Sequence, residues 1–164
     1  MNKMMTYLLV SIVAIIAIIF LVGLFIPRDR TFIKTAVLNS DVSKVFNLVT
    51  DFRNQTTWRN DVKEIIVIND NTWTEVPIKG TAITFKVKNK VVNKIFEIEI
   101  VEPKNFNGYW VGTFKQTKQD LTEIEFKEVV TISNPFFRTL SYLFVDLDKI
   151  MESYLQNLKQ KLSE

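Results

Sequence analysis

Neither cysteine nor histidine occurs in the 164 residues. Their absence removes disulfides, thiolate nucleophiles, Ser-His-Asp triads, most zinc sites and the usual general base near neutral pH. A chain without cysteine fits either redox compartment. Glycine is scarce as well: Gly23, Gly80, Gly108 and Gly112 are scattered, and none lies in a GxGxxG or GxxxxGK context that would cradle a phosphate. A surplus of one charge is also missing. The net charge is +3, and beyond residue 30 lysines and acids interleave and nearly cancel, so no basic face for nucleic acid is expected. Nothing in the pattern calls for a metal or a cofactor.

Apolar residues, by contrast, are concentrated at the start. Tyr7 to Ile26, YLLVSIVAIIAIIFLVGLFI, are 20 consecutive positions without a charge. As a helix they span roughly 30 Å, the hydrocarbon thickness of a bilayer. A cleaved signal peptide has an apolar region of only about 7 to 15 residues followed by small residues, whereas this run ends in LFIPRDR. The reading is an uncleaved single-pass signal anchor over residues 1–27. Arg28, Arg30 and Lys34 outnumber Lys3, which points to a cytoplasmic C-terminal domain, while the short leading tail with its one lysine leaves the opposite orientation open. The bilayer itself is therefore an expected partner. No Gly/Ser linker separates anchor from domain, so the domain must sit close to the membrane.

Residues 31–164 read as one domain. TFIKTAVLN (31–39) is a strand rich in β-branched residues, Ser40-Asp41 offers an N-cap, and Val42, Val45, Phe46 and Val49 follow at helical spacing. In VFNLVTDFRNQTTWRND (45–61) the period fades and Trp58 is left among polar neighbours. From Val62 the period becomes two: strands are expected at 62–70, 72–78, 81–89, 94–103, 109–117 and 121–132, with turns at Asp70-Asn71 and at 105–108. Phe96, Ile98 and Ile100 face one way, Glu97 and Glu99 the other; Ile124 and Phe126 likewise oppose Glu123, Glu125 and Lys127. After Asn134-Pro135, Phe137, Leu140, Phe144, Leu147, Met151, Tyr154 and Leu158 form one stripe, predicting a single helix of some 28 residues to the terminus. An antiparallel sheet with one apolar face needs a cover, and this helix is large enough to supply it.

The strand leading into SDVSKVFNLVTDFRNQTTW, then GYWVGTF with LTEIEFKEVV, and finally NPFFRTLSYLF with YLQNLKQKL, resemble the START-like (SRPBCC) superfamily, including its polyketide cyclase/dehydrase-like branch. The resemblance covers residues 31–164. It implies an α+β helix-grip fold: a curved antiparallel sheet of six to seven strands wrapped on a long C-terminal helix, with one or two short helices after the first strand. The family's usual proline before the first helix is replaced here by Asn39-Ser40-Asp41. In such folds the short helices close one end of the space between sheet and helix, which makes Trp58 a plug that folds back onto Phe46.

Thirteen phenylalanines are many for this length, and most of them lie in the domain. The expected lining for a hydrophobic or lipid-like small molecule is Trp58, Phe85, Phe96, Ile98, Trp110, Phe114, Phe126, Leu140, Phe144 and Tyr154, with Gly112 beside Trp110 favouring a void. If side chains close the space it is simply a core. Two alternatives stand beside ligand binding. One is a cyclase- or dehydratase-like enzyme using Tyr109, Tyr154 or an acid at the mouth, which a strongly shifted carboxylate would favour. The other is a co-chaperone-like module that binds a protein partner. Asp51, Arg53, Arg59 and Asp61 are the polar candidates nearest the mouth; Asp146 and Asp148 flank Leu147, which leaves one of them able to face the mouth, while Asp148 with Glu152 at i+4 reads as an exposed helix edge.

Overall fold

The computed structural model describes residues 2–104 and 106–163. Helix α1, Lys3–Phe25, leads into strand β1, Asp29–Leu38. Helix α2, Val42–Thr50, begins at Asp41, whose carboxylate accepts the Ser43 N–H, and a 3-10 turn, Phe52–Thr57, follows it. Six strands come next: β2 (Val62–Asn69), β3 (Thr72–Pro77), β4 (Ile83–Val91), β5 (Ile95–Glu102), β6 (Phe106–Lys118) and β7 (Leu121–Ile132). They and β1 make one antiparallel sheet in the order β1-β7-β6-β5-β4-β3-β2. The β5–β6 turn runs through Pro103 and Lys104, with Gly108 already inside β6; Asn105, expected in that turn, lies outside the described residues.

Alternation fixes the buried face. Phe96, Ile98 and Ile100 of β5 and Thr122, Ile124, Phe126, Val130 and Ile132 of β7 point inward against the covering helix. Register gives the grip two ends. At one, Asp29 pairs with Thr131 and Asn107 also pairs with Thr131, next to the exit of α1. The opposite end, near Leu38, Thr122 and Gln116, is closed by α2, whose Val45, Phe46 and Val49 are wholly buried.

The predicted 28-residue helix is two helices. Helix α3, Pro135–Phe144, is capped by Asn134, whose side-chain oxygen accepts the Phe136 and Phe137 N–H groups. Val145 is extended, Asp146 caps a new start by accepting the Lys149 N–H, and helix α4 runs Leu147–Leu162. The apolar period continues across the break, which hid the cap signal in Val145-Asp146-Leu147-Asp148. Only α4 fills the grip, through Leu147, Met151, Leu155, Leu158 and Leu162. Asp148 and Glu152 hold Lys34 of β1 at 2.9 and 3.4 Å.

Helix α3 docks instead on α1. Gly23 lets the backbones approach, since a Cβ there would collide with the Pro135 carbonyl. Arg138, buried on α3, donates to the carbonyls of Gly23, Ile26, Ile132 and Ser133 at 2.8–2.9 Å, and so caps the end of α1, whose own last turn has no basic residue. Thr139 Oγ1 donates to the Ile19 carbonyl at 2.8 Å.

Candidate functional site

Where a hollow is expected between sheet and α4, aromatic rings stand in contact. Phe46 meets Phe114 edge-on at 5.2 Å, and Trp110 lies 4.9 Å from Phe126 and 6.4 Å from Tyr154. Trp58 meets Tyr154 edge-on at 5.3 Å, so this tryptophan packs on α4 rather than folding back onto Phe46. Gly112 marks no void: a Cβ there would stand 2.6 Å from the Trp110 indole, which already lies across the glycine. Among the hollows of the described residues, two lie away from these rings. One, of about 250 Å³, is bounded by Val37, Leu38, Asn39, Lys159, Leu162 and Ser163. The other, of about 160 Å³, lies around Thr35, Thr113 and Glu123.

Of the ten residues expected to line the interior, the structure brings eight together: Trp58, Phe85, Phe96, Ile98, Trp110, Phe114, Phe126 and Tyr154 belong to one cluster. Leu140 and Phe144 do not join it. They lie on α3, and Phe144 is 80% exposed. Within the cluster, burial is uneven. Phe96, Phe114 and Phe126 are sealed at the α2 end, while Trp58, Phe85, Trp110 and Tyr154 are half-buried.

A polar knot borders these half-buried rings. The Arg59 guanidinium donates to both Asp61 carboxylate oxygens at 3.1 and 2.6 Å, to Glu75 at 2.9 Å and to the Gln55 side-chain oxygen at 2.6 Å. It also stands 5.2 Å from the centre of the Tyr154 ring. Burial works against its charge, but Glu75 and Asp61 outweigh burial and hold its pKa above the ordinary value. Glu75 accepts a further bond, from the Trp73 indole at 3.2 Å. Asp51 and Arg53 take no part: they bond to Asn54 and Asp70 at the surface.

Two groups near this knot have hydrogen-bonding capacity to spare. Trp58 Nε1 is buried with no partner among the described residues. Glu128, opposite Trp110 in the β6–β7 ladder and inward on its strand, makes no hydrogen bond or ion pair among them. Burial first, then the charge of Glu75, pushes the Glu128 carboxyl up to about 7, with Arg59 pulling the other way. Burial likewise raises the Tyr154 phenol above its ordinary range. Tyr109 faces outward, with Lys88 Nζ 5.9 Å from its ring.

Sequence reasoning singled out Arg59, Asp61, Trp58 and Tyr154 but missed Gln55, Glu75 and Glu128. Strand parity held the signal for two of them. Glu75 shares a face with Trp73, and Glu128 continues the inward series of Thr122, Ile124 and Phe126.

The architecture has close counterparts among solved structures. A START superfamily protein from Mycobacterium smegmatis superposes with a TM-score of 0.65 at 14% identity, over 81% of this chain and 97% of that one. A conserved protein from Geobacillus kaustophilus gives 0.66 at 9% identity, over 82% and 95%. Norcoclaurine synthase from Thalictrum flavum, a point mutant with a transition-state analogue bound, gives 0.66 at 6% identity, over 82% and 94%. The fold is therefore START-like, the helix-grip architecture. No family model matches the sequence, and no curated protein matches it.

Proposed function

We propose that this chain is a single-span, membrane-anchored START-like domain that holds an apolar, lipid-like molecule bearing one hydrogen-bonding group, between the sheet and α4. The observation that carries the reading is Trp58 Nε1, buried without a partner among aromatic rings, together with the half-buried Glu128 carboxyl, which makes no hydrogen bond among the described residues. Polar groups in an interior are normally satisfied, and leaving one unpaired costs about 1–3 kcal/mol, so an unpaired indole N–H at the less sealed part of an apolar grip suits a ligand's head. With α2 sealing the far end, entry is from the end beside α1, and the half-buried rings of Trp110 and Tyr154 swing aside to admit the chain of the molecule. Retention of α1 is supported by Arg138 and Thr139, which bond its backbone from within the folded domain.

Tryptophan fluorescence tests this reading. Full-length chain in mild detergent, titrated with a brominated long-chain alcohol, is expected to show saturable quenching that falls away in Trp58→Phe and Trp110→Phe together. Quenching that rises linearly without saturation, as for partition into micelles alone, would contradict it.

One observation favours a second reading, acid–base catalysis on the bound molecule. A carboxyl at about 7, facing the same Arg59 and Glu75 charges that act on the Tyr154 phenol, is poised to give or take a proton near neutral pH. Among the solved structures of this fold, norcoclaurine synthase is an enzyme, recorded with dopamine and hydroxybenzaldehyde bound. On that reading Glu128→Gln keeps saturable binding and abolishes turnover.

A further inference from the structure

Helix α3 has no role in the grip, and its composition is unusual for a surface helix. Its ten residues, PFFRTLSYLF, contain one charge, Arg138, which is buried and spent on four carbonyls. Thr139 is spent on the Ile19 carbonyl. What remains outward is Phe137 at 49% exposure, then Tyr142 at 59%, Leu143 at 64% and Phe144 at 80%, with Val145 following. Three consecutive large apolar residues in the open make a patch of a kind that marks an interaction surface.

The position of the patch identifies what covers it. Helix α3 packs along the last turns of α1, and its Thr139 reaches Ile19, seven residues short of Ile26, up to about 10 Å inside the end of the apolar run. The exposed side chains of α3 are thus continuous with the exposed apolar surface of α1. At the domain side of the patch, the Arg30 guanidinium lies 5.2 Å from the Tyr142 ring and 5.0 Å from that of Phe32, with Arg28 two residues away in sequence. An aromatic beside arginines, above a fully apolar tip, is the depth order of a membrane boundary: cations and tyrosine at the head groups, phenylalanine and leucine below.

From these contacts we infer that α3 is a second membrane-contacting element, lying beside α1 in the boundary between head groups and acyl chains and burying Phe137, Leu143 and Phe144 in lipid. The inference rests on the reading of α1 as a bilayer span. Its consequence is orientation. A single helix would leave the domain free to swivel, whereas α1 and α3 together fix the grip against the bilayer, with the end beside α1 turned towards lipid.

Because the chain has no cysteine, single-cysteine variants report one site each. Phe144→Cys and Leu143→Cys change highly exposed side chains, Ile12→Cys lies within α1, and Asn71→Cys lies in the exposed β2–β3 turn. Each full-length variant carries a nitrobenzoxadiazole label in vesicles of phosphatidylcholine and phosphatidylglycerol, with nitroxide lipids whose spin label sits at the top or in the middle of the acyl chain. The expected result is that labels at 143 and 144 are quenched several-fold more than the label at 71, and more by the shallow nitroxide than by the deep one, while the label at 12 prefers the deep one. Labels at 143 and 144 that behave like the label at 71, with position 12 still quenched, would overturn the inference and leave the span standing. An unquenched label at 12 would remove the span and the inference together.

Discussion

At the scale of the residue, the interior is governed by how four charges share a small apolar space. Arg59 neutralises Glu75 and Asp61 directly, while Glu128 has no such partner and is raised to about 7. A carboxyl whose folded pKa is raised gives stability that is complete below its unfolded value and is lost as pH climbs through the folded one. Glu128 should therefore cost the fold progressively between about pH 4.5 and 7. Glu128→Gln removes that dependence: chemical denaturation of the detergent-solubilised chain should show the variant about 1–3 kcal/mol more stable at pH 8 and little different at pH 4. Arg59→Met does the reverse, leaving two carboxylates without their cation. It should cost about 3 kcal/mol, against no measurable change for Arg53→Ala, whose ion pair is exposed.

At the scale of the element, the reach and the limit of the sequence are both visible. Strand β5 was readable because Phe96, Ile98 and Ile100 alternate with acids, and α2 because Asp41 announces it with Val42, Val45, Phe46 and Val49 behind. The same periodicity misled after Pro135. An apolar stripe does not say what lies opposite it, and Phe137, Leu140 and Phe144 keep step with Met151 although α3 sits mainly against α1 and touches the sheet only at β7. Glu128 is a charged residue at an inward position of an otherwise apolar series, which alternation alone does not mark as functional, and the pairing of Arg59 with Glu75, sixteen residues apart, is created by the curl of the chain from the 3-10 turn onto β3. The contact of α1 with α3 gives its own prediction. Gly23→Leu forces the helices apart, because the new side chain must occupy the place of the Pro135 backbone. Limited trypsin digestion of the full-length variant should then cleave after Arg138, a bond protected in the parent chain where that side chain is buried.

At the scale of the whole molecule, a helix-grip domain hangs on an apolar helix without a flexible linker, and the chain crosses between them twice: directly, from Phe25 to Asp29, and again through Arg138 and Thr139. If α1 spans the bilayer as proposed, membranes washed at alkaline pH should retain the full-length chain in the pellet, held by about twenty apolar residues. The closed interior and its unpartnered polar groups belong together at this scale. A grip that keeps aromatic rings in contact when empty avoids an open hollow in water, and on the proposed function it would exchange those contacts for a ligand's.

The most direct measurement is the mass of the chain as it leaves its own membrane. Full-length protein released from gentle detergent into a native mass spectrometer should carry one apolar molecule per chain, and the Trp58→Phe/Trp110→Phe variant should carry less. A bare polypeptide mass for the parent chain, unchanged after incubation with the lipids of the same membrane, would contradict the account.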